Sequence, residues 1–269
     1  MILVMTASVS PANVKQLCIK DPEIRLGQYC AAIHFYIKCK QIDKIVFCDN
    51  SDSLYGFESE QKLARKNNVR LEILKFKSDY KMVEKYGKGY GEGEILKYVM
   101  TNSQLLENED YFYKVTGRLI VKNISLLIRK NHKKEALFNR NLYAYKSLDT
   151  RFWGIKKSDY IQFLMESYNK VHDNKGIYLE MCFKRDLDKA NIQYKSFCVY
   201  PVINGYSGTL GKKYKETNWY TKIIYDLMCY FNCYNSEKGF FVVFLIYNIV
   251  FCGQKTMDVY YTYMVNNVD

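Results

Sequence analysis

The chain has 269 residues, 48% of them apolar, so it is long enough and apolar enough to bury a core as one large domain or as one domain with an appendage. Its formal net charge of +12 indicates an anionic partner, which charge alone leaves open between nucleic acid, a phosphorylated small molecule and an acidic membrane surface. The nine cysteines include no CxxC pair and several lie among apolar residues, which favours reduced thiols in a cytosolic protein over a disulfide or zinc framework.

Strands and helices alternate over the first 120 residues. The amino-terminal segment lacks the basic flank and long apolar core of a secretory signal, so it is predicted to be a strand. The first helix is predicted from the spacing of Leu26, Cys30, Ile33 and Ile37. In chain order, the segments are "ILVMTASV" (strand), "EIRLGQYCAAIHFYIKCK" (helix), "KIVFCDNS" (strand), "ESEQKLARKNN" (helix), "VRLEILKF" (strand), "GEGEILKYVMTNSQLLEN" (helix) and "DYFYKV" (strand). This alternation predicts βαβ units and an α/β fold with a mainly parallel sheet flanked by helices.

The pattern becomes mixed after residue 123 and helical from about residue 217. "IQYKSFCVYP" is predicted to be a strand, and "INGYSGTLGKKY" to be a loop that includes Ser207 and Gly208. We expect a catalytic domain over residues 1–212 and a helical, aromatic-rich carboxyl-terminal region over residues 213–269. The apolar run "FFVVFLIYNIVFC" is too short to span a membrane comfortably. "KKYKETNWYTKIIYDLMCYF" places Trp219 on one apolar helix face, which would lie on an anionic membrane surface or face the core.

Ligands of parallel sheets bind at the carboxyl ends of the strands, near a reversal of strand order. The loop after the first strand includes Thr6 and Ser8. The loop after the second strand offers Asp49 and Asn50, which would hydrogen-bond a nucleotide base or ribose. Asp and Asn are also common turn formers, so a local role is the alternative.

"YGKGYGEGE" carries four glycines before a predicted helix. The amides of such a loop, among them Gly89, can cradle a diphosphate that Lys88 would pair with. The segment is neither a GxGxxG directly after a strand nor a P-loop. The alternative is a flexible loop in which Glu92 favours the start of the helix.

"KVTGR" places Lys114, Thr116, Gly117 and Arg118 at the expected ligand edge of the fourth strand. The two cations would neutralise a pyrophosphate without a metal. The alternative is that Arg118 extends into solvent at the end of the strand.

Two carboxylates are candidates for chemistry later in the chain. Asp149 would bind a metal or a sugar hydroxyl, or would form a turn and pair with its neighbour Arg151. Glu180 lies among apolar residues at a predicted helix start, where burial would raise its pKa and suit it to act as a general base. The alternative is that Glu180 faces outward. The three histidines lack metal-ligand spacing and no GxSxG elbow occurs, so a hydrolase is not favoured.

The segments "ILVMTASV", "IVFCDNS", "GKGYGEGEIL", "FYKVTGRLIVKN", "DTRFWGIKKSDY" and "GIYLE" together resemble bacterial GT-A-like glycosyltransferases of capsule and lipopolysaccharide gene clusters, over about residues 1–210. The resemblance implies a Rossmann-like fold with the nucleotide at Asp49 and Asn50. It implies an acidic base at a late helix start, a place that Glu180 matches. The family usually has a metal-binding DxD after its fourth strand, where this chain has "TGR". A divalent metal, Mn²⁺ or Mg²⁺, is thus in doubt, and Lys114 and Arg118 are candidates for its electrostatic role.

From these observations we expect an enzyme that transfers a sugar from a nucleotide-diphosphate donor to a hydroxyl of a glycan or lipid-linked acceptor in surface polysaccharide synthesis, with inversion. Glu180, or less favourably Asp149, would be the base, and the loop amides near Ser207 would help hold the diphosphate. We expect no nucleic-acid partner and a cytoplasmic location, at the inner face of the membrane if the carboxyl-terminal helix binds lipid. The alternatives are a non-catalytic nucleic-acid-binding protein and a nucleotidyltransferase on a similar sheet.

Overall fold

The structure is a computed structural model that describes residues 1–14, 17–131, 135–139, 147–208, 211–214 and 219–232. These residues form nine strands and eight α-helices. The strands are β1 (Ile2–Ala7), β2 (Lys44–Asp49), β3 (Arg70–Lys75), β4 (Tyr111–Thr116), β5 (Ile120–Val121), β6 (Ala136–Leu137), β7 (Phe152–Lys156), β8 (Tyr194–Lys195) and β9 (Ile203–Asn204). The helices are α1 (Pro22–Ile37), α2 (Glu58–Lys66), α3 (Tyr80–Tyr86), α4 (Lys88–Asn102), α5 (Ile124–Lys130), α6 (Lys157–Asp159), α7 (Leu179–Lys189) and α8 (Trp219–Tyr230).

Seven of the strands form one sheet in the order β3-β2-β1-β4-β7-β6-β8, and β5 pairs with β9 in a separate antiparallel ribbon. The first four strands of the chain are mutually parallel, whereas β7 runs antiparallel to both β4 and β6. The predicted α/β class, a mainly parallel sheet flanked by helices, is therefore confirmed.

The two faces of the sheet carry separate hydrophobic cores because the side chains of a strand alternate between faces. In β1, Leu3 and Met5 belong to the core under α1, whereas Ile2 and Val4 belong to the core under α4 and α7. The first strand is buried on both faces, as expected for the centre of a parallel sheet.

Helix α1 begins as its sequence dictates. The Asp21 side chain accepts hydrogen bonds from the amides of Glu23 and Ile24 at 2.8 and 3.1 Å, and Pro22 occupies the first turn. Ile33 and Ile37 are buried as predicted, whereas Leu26 and Cys30 are only partly buried. The fully covered positions are Arg25, Tyr29, Ala32, Ile33, Tyr36 and Ile37. Arg25 is thus the first residue on the face of α1 that packs against the sheet.

Two further predictions are corrected. The glycine-rich segment is not a loop, because α4 begins at Lys88 and includes Gly89, Gly91 and Gly93. The strand predicted over "IQYKSFCVYP" is reduced to the two residues of β8. The seven described cysteines form no disulfide, in line with the reduced thiols predicted at these positions.

Helix α8 confirms the helical start of the carboxyl-terminal region. Tyr225, Met228 and Cys229 are its buried residues, whereas Trp219 and Ile223 on the other face are 75% and 50% exposed. Within the part of the chain that the structure describes, each helix is too short or too polar to span a bilayer. The apolar run over residues 240–252 lies outside the described residues.

Candidate functional site at the β1–β4 switch point

The strand order places a switch point between β1 and β4. The chain builds β2 and β3 on one side of β1 and then crosses to add β4 on the other side. Ligands of open α/β sheets bind outside the carboxyl ends of the strands at such a point. The amide of Gly117 donates to the carbonyl oxygen of Thr6 at 2.9 Å, and the amide of Thr116 donates to that of Arg151 at 2.9 Å. These bonds hold the ends of β1 and β4 beside the segment that precedes β7.

Gly117 permits this close approach. A Cβ atom at its position would lie 2.7 Å from the carbonyl oxygen of Thr6 and 3.2 Å from the ring of Tyr29. The neighbouring atom is backbone, which cannot move aside as a flexible side chain would. The glycine in "KVTGR" is thus required by packing at the switch point, and Thr6 itself is buried.

Lys114 is fully buried in the middle of β4. Its ammonium donates to the carbonyl oxygen of Thr150 at 2.8 Å and to the hydroxyl of Thr116 at 3.2 Å, and it forms an ion pair with Glu92. Three acceptors satisfy the three donors of a lysine. Lys114 therefore joins β4 to α4 and to the segment before β7, and this geometry does not suit the predicted contact with a pyrophosphate.

Glu180 lies in the first turn of α7 and is half-buried. Its Oε1 accepts a hydrogen bond from the Thr150 hydroxyl at 3.2 Å. Burial raises the pKa of this carboxyl, and the negative charges of Glu92 and Asp173 raise it further, against the opposing effect of Lys88. A carboxylate with a raised pKa at a ligand edge is suited to accept a proton.

The carboxylate of Asp173 accepts a hydrogen bond from the backbone amide of Gly89, which was predicted to bind a diphosphate. The side chain is 3% exposed, and its Oδ2 accepts from the backbone amide of Gly89 at 3.2 Å. A Cβ atom on Gly87, whose φ is +106°, would come within 2.3 Å of the same carboxylate. Lys88 lies beside Asp173 and its charge lowers the pKa of that carboxyl, although burial, the largest effect, raises it. The glycines thus allow the start of α4 to pack closely against the loop of Asp173.

Asp49 organises the loop after β2. It is fully buried and accepts hydrogen bonds from the amides of Val9, Ser51 and Ser53 at 2.9, 3.2 and 3.0 Å and from the Ser51 hydroxyl. The bonds from Ser51 and Ser53 are local, as expected if Asp49 stabilises a turn. The bond from Val9 also connects the loop after β1 to the loop after β2. Asp49 therefore shapes the edge where the sequence predicted nucleotide binding.

Asn50 is also buried, and its amide nitrogen donates to the Ser78 hydroxyl at 2.9 Å. Its side-chain oxygen has no hydrogen-bond partner among the described residues. A Cβ atom on Gly91 would lie 3.3 Å from its amide nitrogen, so α4 packs against this side chain.

Asp149 and Arg151 form the pair that sequence reasoning gave as an alternative. The Arg151 guanidinium donates to the two carboxylate oxygens at 2.9 and 2.6 Å, in a bidentate geometry. Burial acts to raise the pKa of Asp149, but the charge and hydrogen bonds of Arg151 outweigh it, so the pKa is lowered. A carboxylate held in this way is a poor general base. The Arg151 guanidinium also lies 4.9 Å from the ring centre of Tyr214.

Arg118 does not extend into solvent. It is 8% exposed, and its Nη1 donates to the side-chain oxygen of Gln28 at 3.1 Å and to the carbonyl oxygen of Tyr206 at 3.3 Å. A Cβ atom on Gly208 would lie 2.7 Å from Arg118 Nη2. The predicted loop of Ser207 and Gly208 is therefore brought onto Arg118.

Arg25, which the sequence analysis did not single out, binds the hydroxyl of Tyr29, a residue that also lies against Gly117. Arg25 is 4% exposed and donates to the carbonyl oxygens of Ser8 and Ile19 at 2.6 and 3.1 Å and to the hydroxyl of Tyr29 at 3.0 Å. The available signal was its spacing, because Arg25 is four residues before Tyr29 on the same helix face. Thr150 and Asp173, also missed, have no comparable signal in the sequence.

The described residues contain no group of three or more His, Cys, Asp or Glu side chains placed to hold a metal ion. At the position where the resemblance implies metal-binding acids, the chain has Gly117 and the guanidinium of Arg118. That position therefore carries no carboxylate for Mn²⁺ or Mg²⁺.

No protein-family model matches this sequence, and no curated protein matches it either. The structure is similar to the glycosyltransferase GlyE of Streptococcus pneumoniae TIGR4, with 12% identity, a TM-score of 0.49, and coverage of 73% of this chain and 45% of the other. The chain thus spans less than half the length of that protein.

Two further similarities have comparable scores. One is to the galactosyltransferase LgtC in complex with donor and acceptor sugar analogs, with 11% identity, a TM-score of 0.47, and coverage of 72% and 73% of the two chains. The other is to a nucleoside-diphosphate-sugar pyrophosphorylase of Vibrio cholerae RC9, with 11% identity, a TM-score of 0.41, and coverage of 73% and 91%. Because each of these TM-scores lies below 0.5, the activity of this chain has to be inferred from its own site.

Proposed function

We propose that this chain is a glycosyltransferase that moves a sugar from a nucleotide-diphosphate donor to a hydroxyl group. The observation that carries the proposal is the half-buried Glu180 carboxylate, with its raised pKa, at the switch-point edge of the sheet. The Thr150 hydroxyl donates to Glu180, and the carbonyl oxygen of the next residue, Arg151, accepts from the amide of Thr116 at the end of β4. Arg118, a cationic residue, follows two positions after Thr116.

In this reaction Glu180 accepts the proton of the acceptor hydroxyl as its oxygen attacks the anomeric carbon of the donor. The bond from that carbon to the phosphate oxygen breaks, and the nucleoside diphosphate leaves with the electron pair. Arg118 stabilises the negative charge that develops on the leaving oxygen. One positioned base suffices for direct displacement, which inverts the configuration of the sugar.

The donor would lie along the loops after β1, β2 and β4. Asp49 and Asn50 fix the shape of the loop that would receive the nucleoside, and Ser8 contributes at the end of β1. Lys88, at the start of α4, and the loop of Ser207 and Gly208 would line the two ends of the site.

The acceptor we propose is a glycan or lipid-linked saccharide of surface polysaccharide synthesis, in the cytoplasm at the inner face of the membrane. The support is the chain's net charge of +12 and the exposed apolar face of α8. A basic protein with an exposed aromatic helix face has the chemistry to lie on an anionic lipid surface.

The test is a thermal-shift screen of nucleotide sugars and nucleoside diphosphates, each with Mn²⁺ and with EDTA. We expect one donor class to raise the melting temperature, and EDTA to leave that shift in place. If no nucleotide sugar or nucleoside diphosphate stabilises the chain, the proposal fails. Stabilisation by a nucleoside triphosphate together with a sugar phosphate, but by no nucleotide sugar, would identify a nucleotidyltransferase instead.

A further inference from the structure

We propose that Arg25 and Arg118 together form a metal-independent binding site for a pyrophosphate group, the diphosphate of the nucleotide donor. This inference rests on the proposed function and deepens it, because it names the residues that hold the leaving group. Arg25 belongs to α1 and Arg118 follows β4, so residues far apart in the sequence build the site.

Both arginines are buried without a carboxylate partner among the described residues. More than nine-tenths of each side chain is buried. Arg25 donates only to neutral acceptors, which are two carbonyl oxygens and the Tyr29 hydroxyl. Arg118 likewise donates to an amide oxygen and a carbonyl oxygen. Among the described ranges, no carboxylate forms an ion pair with either guanidinium. A buried charge is costly unless an opposite charge compensates it, so this pair is suited to a bound anion.

Both cations lie around Tyr29, whose hydroxyl accepts from Arg25 at 3.0 Å and whose ring would lie 3.2 Å from a Cβ atom on Gly117, the residue before Arg118. Burial lowers the pKa of Arg118, and the positive charge of Arg25 lowers it further, whereas Tyr29 opposes the change. Two like charges repel in a partly dehydrated site, and an anion between or beside them would remove that repulsion. Tyr29 braces the arrangement, since its hydroxyl accepts from both Arg25 and the Ser8 amide.

Two other cations at the same edge have carboxylate partners. Arg151 is partly buried, and Asp149 is its bidentate carboxylate partner. Lys114 is buried with Glu92 as its partner. The fold therefore supplies internal acids to these two cations and supplies none, among the described residues, to Arg25 and Arg118.

The position of the two arginines also suits a ligand at the switch point. Arg118 directly follows Gly117 at the switch point, and Arg25 contacts the carbonyl oxygen of Ser8 at the end of β1. The loop that covers Arg118 has a glycine, Gly208, against Nη2, where a larger side chain would collide. Guanidinium groups donate in a planar fork that matches two phosphate oxygens, so two arginines match the two phosphates of a pyrophosphate.

The experiment is isothermal titration of the full-length protein with inorganic pyrophosphate, UDP and GDP, each in the presence of EDTA. The variants are Arg118→Gln and Arg25→Gln, with Arg65→Gln as a control that removes one exposed positive charge from α2. We expect pyrophosphate and at least one nucleoside diphosphate to bind the wild-type protein without metal. Each site variant should bind at least tenfold more weakly, whereas the control should stay within twofold.

A second readout separates a binding role from a structural one. If the arginines are held against an uncompensated charge, Arg118→Gln should keep or raise the melting temperature of the ligand-free protein, and Arg118→Lys should retain part of the binding. A large fall in melting temperature in the ligand-free variant, together with unchanged pyrophosphate affinity per folded molecule, would overturn the inference. Binding that requires Mn²⁺ would also overturn it.

The outcomes distinguish this site from the proposed function. Arginine-dependent binding of pyrophosphate, with no response to any nucleotide sugar, would support the site and reject the glycosyltransferase. Nucleotide-sugar binding that survives both substitutions would support the glycosyltransferase and reject the site. If inorganic pyrophosphate binds in the arginine-dependent manner but neither UDP nor GDP does, the diphosphate of the nucleotide donor is excluded as the ligand.

Discussion

The amide of Gly117 donates to the carbonyl oxygen of Thr6 at 2.9 Å, and this bond holds the end of β4 against the end of β1. The strand pairing of β1 with β4 ends at Thr6 and Thr116, so the bond extends the ladder by one residue beyond the sheet. Because Arg118 is the next residue, the same bond sets where its side chain begins.

Replacement of Gly117 by alanine should therefore destabilise the fold. The new Cβ would lie 2.7 Å from the Thr6 oxygen, and relieving that clash by backbone movement should cost about 2 kcal/mol of unfolding free energy. The control is Gly27→Ala, since no atom lies within 4 Å of a Cβ at that exposed site on α1. There alanine should stabilise the protein by about 1 kcal/mol through its helix propensity. Urea unfolding measures the change in unfolding free energy of both variants. Equal changes for the two substitutions would contradict the close approach of Gly117 to the Thr6 carbonyl oxygen.

Two fully buried tyrosines provide a matched test of hydrogen bonding. The Tyr36 hydroxyl donates to the carbonyl oxygen of Leu119 at 2.8 Å and accepts from the amide of Val121 at 3.0 Å. The Tyr113 hydroxyl has no hydrogen-bond partner among the described residues. Tyr36→Phe should cost about 2 kcal/mol because it orphans a buried amide and a carbonyl, whereas Tyr113→Phe should be neutral or slightly stabilising. Urea denaturation of both variants measures the two changes in unfolding free energy. A larger loss of unfolding free energy for Tyr113→Phe than for Tyr36→Phe would contradict this prediction.

Lys114 should matter for stability and not for anion binding. Lys114→Met removes the partner of Glu92 and two further hydrogen bonds, at a cost of about 3 kcal/mol in unfolding free energy. Adding Glu92→Gln removes the orphaned charge, so the double variant should be more stable than the sum of the single effects by about 1 kcal/mol. The measurements are chemical denaturation and pyrophosphate titration. A Lys114→Met variant of normal stability that has lost pyrophosphate affinity would place the ammonium at the ligand.

The pH dependence of turnover tests Glu180. Its pKa is raised, chiefly by burial, and the base must be ionised, so the acid limb of kcat/KM should lie above the ordinary glutamate value of about 4.3. The assay is release of nucleoside diphosphate from whichever nucleotide sugar stabilises the protein. Glu180→Gln should abolish turnover and retain donor binding, and the exposed Glu107→Gln should change neither. Undiminished turnover in Glu180→Gln removes the residue as the base.

The raised pKa of Glu180 also makes the stability of the fold depend on pH. A carboxyl whose pKa is higher in the folded than in the unfolded state stabilises the fold below the unfolded value, and that contribution is lost as pH rises through the folded one. Ionisation of Glu180 as pH rises is thus less favourable in the folded than in the unfolded state, and Glu180→Gln should raise the melting temperature at pH 7 more than at pH 4. An equal effect at both pH values would mean that burial does not penalise the charge.

The sheet was predictable because its signals are local. Apolar runs that end in turn formers identified β1, β2 and β4, and the polar residues after them were expected at one edge, where Thr6 and Gly117 indeed meet. The glycines of α4 misled the sequence reasoning, because glycine is typical of loops and here permits a helix to pack against Asp173 and Asn50. Arg25 was not predicted to be buried, because only apolar residues were assigned to the buried face of α1.

The sequence by itself determined the alternation of strands and helices, the parallel centre of the sheet and thus the edge at which a ligand is expected. Only the tertiary structure decided which charges at that edge are compensated. Lys114 is neutralised by Glu92 and Arg151 by Asp149, whereas Arg25 and Arg118 lie together without a described carboxylate partner. The physical reason is that secondary structure follows from the spacing of neighbouring residues, but the energy of a buried charge depends on distances between groups that the chain brings together only when it folds.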